Sequence, residues 1–336
     1  MINQPSSLEF SHFPVMLNEV IKISSPHNGG KFIDCTFGGG GYSREILKFT
    51  KTSVEAFDRD KEVFVKAKEF EKKFPSRFKF YQIKFSQIEK LSDETVDVII
   101  FDLGLSSMQL DNHDRGFSFN SKNELNMTMG LNKISAFEVI NNLDEENLKL
   151  VIKILGGEKE AFKIAKNIVK YRKIKKIVKT SDLVSIINKS KKKIYSKKIN
   201  PCTKTFQALR IFVNKEITEL INGLIYATKR LKPGGKIIVV SFHSIEDKIV
   251  KYLFSNFSKN MARSSRYLPD SNINKFSLFE NYRNKVYRPS IKEISLNNRS
   301  RSAKLRFAIR SKNKFEYPDQ LKKKFKRYLD LEAINV

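Results

Sequence analysis

Short apolar runs and longer stretches of helical period alternate through residues 31–110. KFIDCTF (31–37), SVEAFD (53–58), FKFYQIKF (78–85) and VDVIIFDLG (96–104) read as strands. Between them, SREILKF (43–49) and DKEVFVKAKEFEKKF (60–74) space their apolar residues as helices do. The fourth run is apolar enough for burial on both faces, as in a parallel sheet covered by helices on each side. The alternation therefore predicts a doubly wound α/β sheet.

The pattern changes near Asn112. Up to Val213 it is helical and basic: SAFEVINN, DEENLKLVIKIL, EKEAFKIAKNIVKYR and SDLVSIINKSKKK. Asp144 and Ser181 stand where N-caps belong, and Gly156-Gly157 marks a break between helices. One long helical run, residues 203–231, leads through the turn KPGG into a fifth strand, KIIVVSF. SIEDKIVKYLFSNF is a further helix and KLRFAIR a late strand. Residues 258–285 and the tail after Ser311 show little periodicity and are expected as loop. The pattern thus predicts one α/β domain in two parts, 1–111 and 214–311, interrupted by a helical insertion at 112–213 and followed by a basic tail at 312–336.

Composition sharpens this picture. Lys and Arg total 64 against 36 acidic residues, a net charge of +28. Such an excess attracts polyanions, nucleic acid above all. A chain rich in Lys, Ile, Asn and Phe also fits a compositional bias, so charge alone does not decide. No run reaches the ~18 apolar residues of a membrane span, so no membrane partner is expected. The opening MINQPSSLEF has neither the basic nor the apolar region of a secretory signal. Two cysteines without a C-x-x-C pair favour a reducing, cytoplasmic setting.

The stretch FIDCTFGGGGYSREIL (32–47) holds four consecutive glycines between a strand and a helix. A P-loop is excluded, because no G-x-x-x-x-G-K-[ST] segment occurs. A dinucleotide fingerprint counted from Gly38 fails at its third position, Ser43. An S-adenosylmethionine loop is the third option, and a bare glycine turn the fourth. Asp58 ends the second strand 20 residues after Gly38, placed to accept hydrogen bonds from ribose hydroxyls. Both NAD and S-adenosylmethionine carry an adenosine ribose, so the residues alone leave the two open.

Six ordered segments narrow the choice: DCTFGGGGYSR, AFDRD, FDLGLSSMQLD, DRGFSF, NPCTKTFQALRIFVN and SFHSIEDKIVK. From about His12 to Arg310 the chain resembles the RsmH (MraW) family of methyltransferases. The resemblance implies a Rossmann-like S-adenosylmethionine-dependent methyltransferase sheet with an inserted all-helical domain. It implies S-adenosyl-L-methionine as cofactor, and transfer of its methyl group to N4 of a cytidine in the decoding region of 16S rRNA. The partner implied is 16S rRNA within the small ribosomal subunit; oligomeric state stays open, a homodimer included. The cofactor contacts carried over by position are Gly40, Gly41 and Tyr42 in the loop, Asp58, Phe85, Asp102 and Gln109. Tyr42 stands where the family commonly has His, Cys35 where it has glycine, and Asn126 where it has aspartate.

The residues carry roles of their own. Gly40 and Gly41 let backbone N–H groups approach a carboxylate, and Phe85 suits either an adenine face or the core. Asp102 ends a buried strand, where an unpartnered carboxylate costs on the order of several kcal/mol; a sulfonium or an amino group would partner it. Cytosine N4 is a poor nucleophile, and the proton acceptor is unknown; Asp102, Ser106 and Ser107 are candidates by position. RGFSFN (115–120) departs from an RNP1 strand at Ser118 and Asn120. NPC (200–202) lacks the remainder of a zinc deaminase signature, and the four histidines lack metal-ligand spacing, so no metal is expected. His243 suits a ligand contact or a helix cap, and Arg210 with Asn214 suits an RNA face or a buried network. The basic runs YRKIKKIVK and KSKKKIYSKK suit a substrate clamp or a solvated face. A nicotinamide oxidoreductase and a non-catalytic RNA-binding protein are the rival functions.

Overall fold

A computed structural model describes residues 14–90, 95–191, 200–259 and 277–336. The chain divides into two compact units: Met1–Gly104 with Leu220–Lys323, and Leu105–Glu219 with Lys324–Val336.

The first unit is built on a six-stranded sheet, with β1 at Gly30–Asp34, β2 at Thr52–Phe57, β3 at Phe78–Tyr81, β4 at Val96–Asp102, β5 at Leu231–Ser241 and β6 at Lys304–Ile309. Its order is β3-β2-β1-β4-β5-β6. The first five strands run parallel and β6 pairs antiparallel to β5. In β4, Val96, Val98, Ile99, Ile100 and Phe101 are all buried, as a central strand covered on both faces requires. The expected KPGG turn lies inside β5 as an irregularity: Val96 pairs with Leu231, but Val98 pairs with Lys236, so residues 232–235 leave the ladder. The third expected strand is shorter than its apolar run, ending at Tyr81; Phe85 opens a 3-10 turn, Phe85–Lys90.

The second unit is helical. Glu145–Gly156 packs against Thr203–Asn214 and Ala161–Arg172, and the latter against Thr180–Ser190. Asp144 caps the first of these by accepting from the Asn147 N–H at 2.8 Å, and Gly157 ends it at φ 62°. Ser181 is not a cap; the helix begins at Thr180, with Lys179 in the cap position.

Two expectations fail for stated reasons. The run 203–231 is two helices, Thr203–Asn214 and Glu216–Arg230, broken where Lys215 adopts φ 48°. Asn214 holds that break: its Oδ1 accepts from Met129 N (2.8 Å) and Asn132 Nδ2 (2.6 Å), and its Nδ2 donates to Met127 O (2.8 Å). The tail is not loop but two helices, Asp319–Lys324 and Lys326–Glu332, with Leu321, Phe325 and Leu331 buried. Glu332 accepts from Ile217 N (3.0 Å), Thr218 N (2.8 Å) and Thr218 Oγ1 (2.6 Å), so it caps the helix that begins at Glu216. Of the expected loop 258–285, residues 260–276 lie outside the described residues; the flanks meet in a bridge between Ser258 and Phe279.

Candidate active site

Three carboxylates gather at the carboxyl edge of the sheet, where open α/β sheets bind ligands. Asp34 ends β1 and is paired in register with Ala56 and Ile100. Asp58 and Asp102 therefore lie two residues further along the flanking strands, which keeps all three in phase with the pleat.

Each acid is tied to the loop that follows β1. Asp34 accepts from Ser43 Oγ at 2.7 Å and from Thr36 N at 3.2 Å. Thr36 Oγ1 in turn accepts from Asp102 N at 2.7 Å. Asp58 accepts from Gly38 N and from Asp60 N, both at 2.9 Å. Asp60 caps the next turn through the Glu62 N–H.

Burial dominates the electrostatics. It pushes the Asp34 carboxyl up to about 6, against hydrogen bonds from Ser43 and Thr36 that lower it. It raises Asp58 as well, opposed by the Asp60 and Gly38 N–H groups. Burial and the neighbouring charge of Asp34 push Asp102 up to about 8, with the nearby Tyr42 hydroxyl acting the other way. Asp102 is half-buried as a residue, but its Oδ1 is fully enclosed with no hydrogen-bond partner among the described residues. Such an atom costs about 1–3 kcal/mol, unless a ligand supplies the missing group.

The glycine loop owes its composition to two causes. Gly40 lies at φ 72°, and a Cβ there would come within 2.7 Å of Phe70 and 2.9 Å of Phe37. Phe37 stacks edge-on to Phe70 at 5.3 Å and packs against Phe78 and Phe80, an aromatic bed beneath the loop. A Cβ on Gly41 would overlap Pro14. Packing therefore explains why Gly40 and Gly41 lack side chains. Gly39 is different: nothing lies within 4 Å of its Cβ position, so this glycine faces open space.

The other expected residues fall as follows. Tyr42 is buried and donates its hydroxyl to Val15 O, so its side chain belongs to the core and its one donor is already engaged. Phe85 is half-buried, edge-on to Phe101 at 5.4 Å, and a Cβ on Gly223 would approach its ring to 2.5 Å. Gln109 belongs to the second unit and forms a capping box with Ser106, accepting from Ser106 N at 3.1 Å. His243 caps the helix Ser244–Asn256. Arg210 pairs with Glu216 through two contacts of 2.7 and 2.8 Å, and Asn214 is buried, which settles that pair as a network. Lys191 bonds Glu158 at 2.5 Å and Pro201 O, which removes it from both the clamp and the solvated face that its run suggested; Lys192 and Lys193 lie outside the described residues. Asn126 closes a turn by accepting from Thr128 N at 2.9 Å. Phe117 is buried and Phe119 packs on Phe206 at 6.2 Å, so RGFSFN is a packed loop.

Reading from single residues missed Asp34, Thr36 and Ser43. The signal was present: β1 and β4 finish as Phe-Ile-Asp and Ile-Phe-Asp, and β2 runs on into Asp58 as Ala-Phe-Asp.

Strand order, glycine loop and strand-ending acids define a Rossmann-like α/β protein of the cofactor-binding class. The sequence profile of the MraW methylase family matches residues 9–311. A ribosomal RNA small subunit methyltransferase H of Ehrlichia canis (strain Jake) is 43% identical over 304 residues, 89% of this chain and 99% of the relative. A protein of the same name from Rickettsia massiliae (strain Mtu5) is 44% identical over 300 residues, 89% of this chain and 97% of the relative. A putative methyltransferase from Streptococcus mutans, solved in complex with SAH, aligns with TM-score 0.37 and 11% identity over 92% of this chain and 99% of its own. The chain belongs to the MraW methylase family, a family of S-adenosyl-L-methionine-dependent methyltransferases. No helix among the described residues is long and apolar enough to cross a membrane.

Proposed function

We propose that the protein transfers the methyl group of S-adenosyl-L-methionine to N4 of a cytidine in the decoding region of 16S rRNA, acting on the small ribosomal subunit. The observation that carries the cofactor site is Asp102, whose enclosed Oδ1 needs a donor or a cation at the edge of the sheet. The family relatives' name supports the RNA substrate; the choice of cytosine N4 rests on the sequence resemblance.

The residues present fit the cofactor. Gly39 leaves room beside the loop for close backbone approach. Each oxygen of Asp58 already accepts one backbone N–H and keeps a further lone pair for a ribose hydroxyl. Asp102 is placed for a cationic group. Gly40 and Gly41 shape the loop, Tyr42 lies buried close to Asp102, and Phe85 completes the proposed set in the first unit. When bound, the cofactor supplies a methyl group that is already electrophilic, so positioning provides much of the acceleration. The chain's own part is to fix that geometry: Thr36 and Ser43 lock Asp34 and Asp102 to the loop, and the aromatic bed holds the loop to the sheet.

The second unit is the proposed RNA clamp. Helix Ala161–Arg172 buries Ala161, Ile164, Ala165 and Ile168 and leaves Phe162, Lys163, Lys166 and Lys170 exposed. Phe162 is 56% exposed, with the Lys166 ammonium 5.9 Å from its ring centre. An aromatic face among lysines suits an unstacked base and its phosphates. Radiolabelled methyl transfer to small subunits lacking the modification, followed by nucleoside analysis, tests the assignment. Label in N4-methylcytidine is expected; label in another nucleoside, or none, overturns it.

A further inference from the structure

The stretch from Arg288 to Arg301 in the first unit contains a helix that buries nothing. Ile291–Leu296 has six residues, none of them buried, and its two apolar ends stand in solvent: Ile291 is 88% exposed and Leu296 75%. So short a helix is marginal by itself, and polar anchors hold it. Ser290 Oγ accepts from Glu293 N at 3.1 Å, Ser300 is fully buried and donates to Asn297 O at 2.7 Å, and Glu293 accepts from Met16 N at 2.7 Å. The exposure of Ile291 and Leu296 thus belongs to an ordered element.

Its place and its charge indicate what covers it. Met16 follows Val15, whose carbonyl accepts the hydroxyl of Tyr42, a buried neighbour of Asp102. Glu293 is close enough for its charge to act on Asp102. The segment therefore borders the reactive edge of the sheet. Residues 288–301 carry four cations, Arg288, Lys292, Arg299 and Arg301, against Glu293 alone, and all four are exposed. That balance repels a second copy of the same surface and attracts a polyanion. Chemistry on an exocyclic amine needs the base out of its stack, which leaves the neighbouring bases with bare apolar faces. Apolar side chains ringed by cations match such a strand.

We infer that Arg288–Arg301 is the strap of the first unit that seats single-stranded RNA beside the target nucleotide. Ile291 and Leu296 cover an unstacked base, and Arg288, Lys292, Arg299 and Arg301 meet phosphates. This rests on the RNA-methylating reading above.

Two full-length variants test it, with a labelled single-stranded RNA oligonucleotide as the probe for affinity and unmodified small subunits as the substrate for turnover. Ile291→Ala with Leu296→Ala keeps helix-forming residues and removes only solvent-exposed apolar groups. It should lower RNA affinity and kcat/KM for small subunits by about tenfold or more, the range of the apolar burial lost with an aliphatic side chain. Cofactor affinity should stay within about twofold and thermal stability should be unchanged. Lys292→Gln with Arg301→Gln should make log affinity against log salt shallower by about 0.7 per contact, roughly 1.4 in all. Wild-type protein that binds RNA, with both variants binding it equally well and with the same salt slope, overturns the strap alone. A wild-type dimer that the alanine pair converts to monomer, with RNA affinity intact, also overturns it and assigns the apolar pair to self-association. Wild-type protein that binds no RNA overturns the strap and the underlying reading together.

Discussion

Raising the pH from about 6 to about 7.5 should tighten cofactor binding, because Asp102 must give up a proton to face a cation. With its carboxyl at about 8 in the unliganded protein, the ionised fraction is about 1% at the lower pH and about 24% at the upper. If only the carboxylate pairs with the ligand, affinity rises about 25-fold across that interval, or about 1.9 kcal/mol. The upper limit keeps the ligand's α-amino group cationic. The sign for stability is opposite. The folded value lies above the ordinary carboxylate value, so the folded state binds more protons between about pH 4 and pH 8. Unliganded protein should therefore lose stability as pH rises through that window, and saturating cofactor should offset the loss. Calorimetry at several pH values, in two buffers of different ionisation enthalpy, measures the affinity and the protons released. At pH 7 the release should be about 0.9 proton from Asp102, since Asp34 at about 6 is already mostly ionised there. Asp102→Asn should weaken binding about ten- to hundredfold, in line with the ~1.5–3 kcal/mol of a charged hydrogen bond, and should abolish the pH dependence. Repeating the titration with S-adenosylhomocysteine separates the two cations: dependence lost with it assigns Asp102 to the sulfonium, dependence kept assigns the amino group. Affinity that is flat or falling over the interval, with Asp102 present, would refute the reasoning.

Asp58→Asn should weaken the cofactor about ten- to hundredfold; calorimetry showing unchanged affinity in the folded variant removes Asp58 from the site. Gly39→Val should block the cofactor at little cost to thermal stability, whereas Gly41→Val should lower the melting temperature through its overlap with Pro14; normal cofactor binding by Gly39→Val would place the ligand elsewhere. Phe162→Ala with Lys166→Gln and Lys170→Gln should lower RNA affinity while cofactor affinity stays within about twofold, and a salt slope unchanged from wild type would make this helix face merely solvated. Glu332→Ala leaves the Ile217 and Thr218 N–H groups without their acceptor and should destabilise the protein by about 1–2 kcal/mol, read by thermal or denaturant unfolding.

The sequence alone determined the parts that rest on local pattern. Strand-length apolar runs separated by helical spacing specify a parallel sheet, because burial on both faces leaves no room for polar alternation. A glycine run after the first strand and acids ending the second and fourth pointed to the edge where the cofactor site is proposed. The tail was readable in principle, since Leu321, Phe325, Tyr328 and Leu331 fall at helical spacing, but lysines between them masked it. Tertiary structure decided what depends on neighbours distant in the chain. Which glycines are needed for packing and which face open space turns on Phe70, Phe37 and Pro14. The break at Lys215 turns on the bonds Asn214 makes to Met127 and Met129. The protonation of Asp102 turns on burial beside Asp34, 68 residues earlier in the chain. Periodicity reports which side of an element meets the core, while the partners that satisfy, crowd or charge a given atom come from other elements, and only folding brings those together.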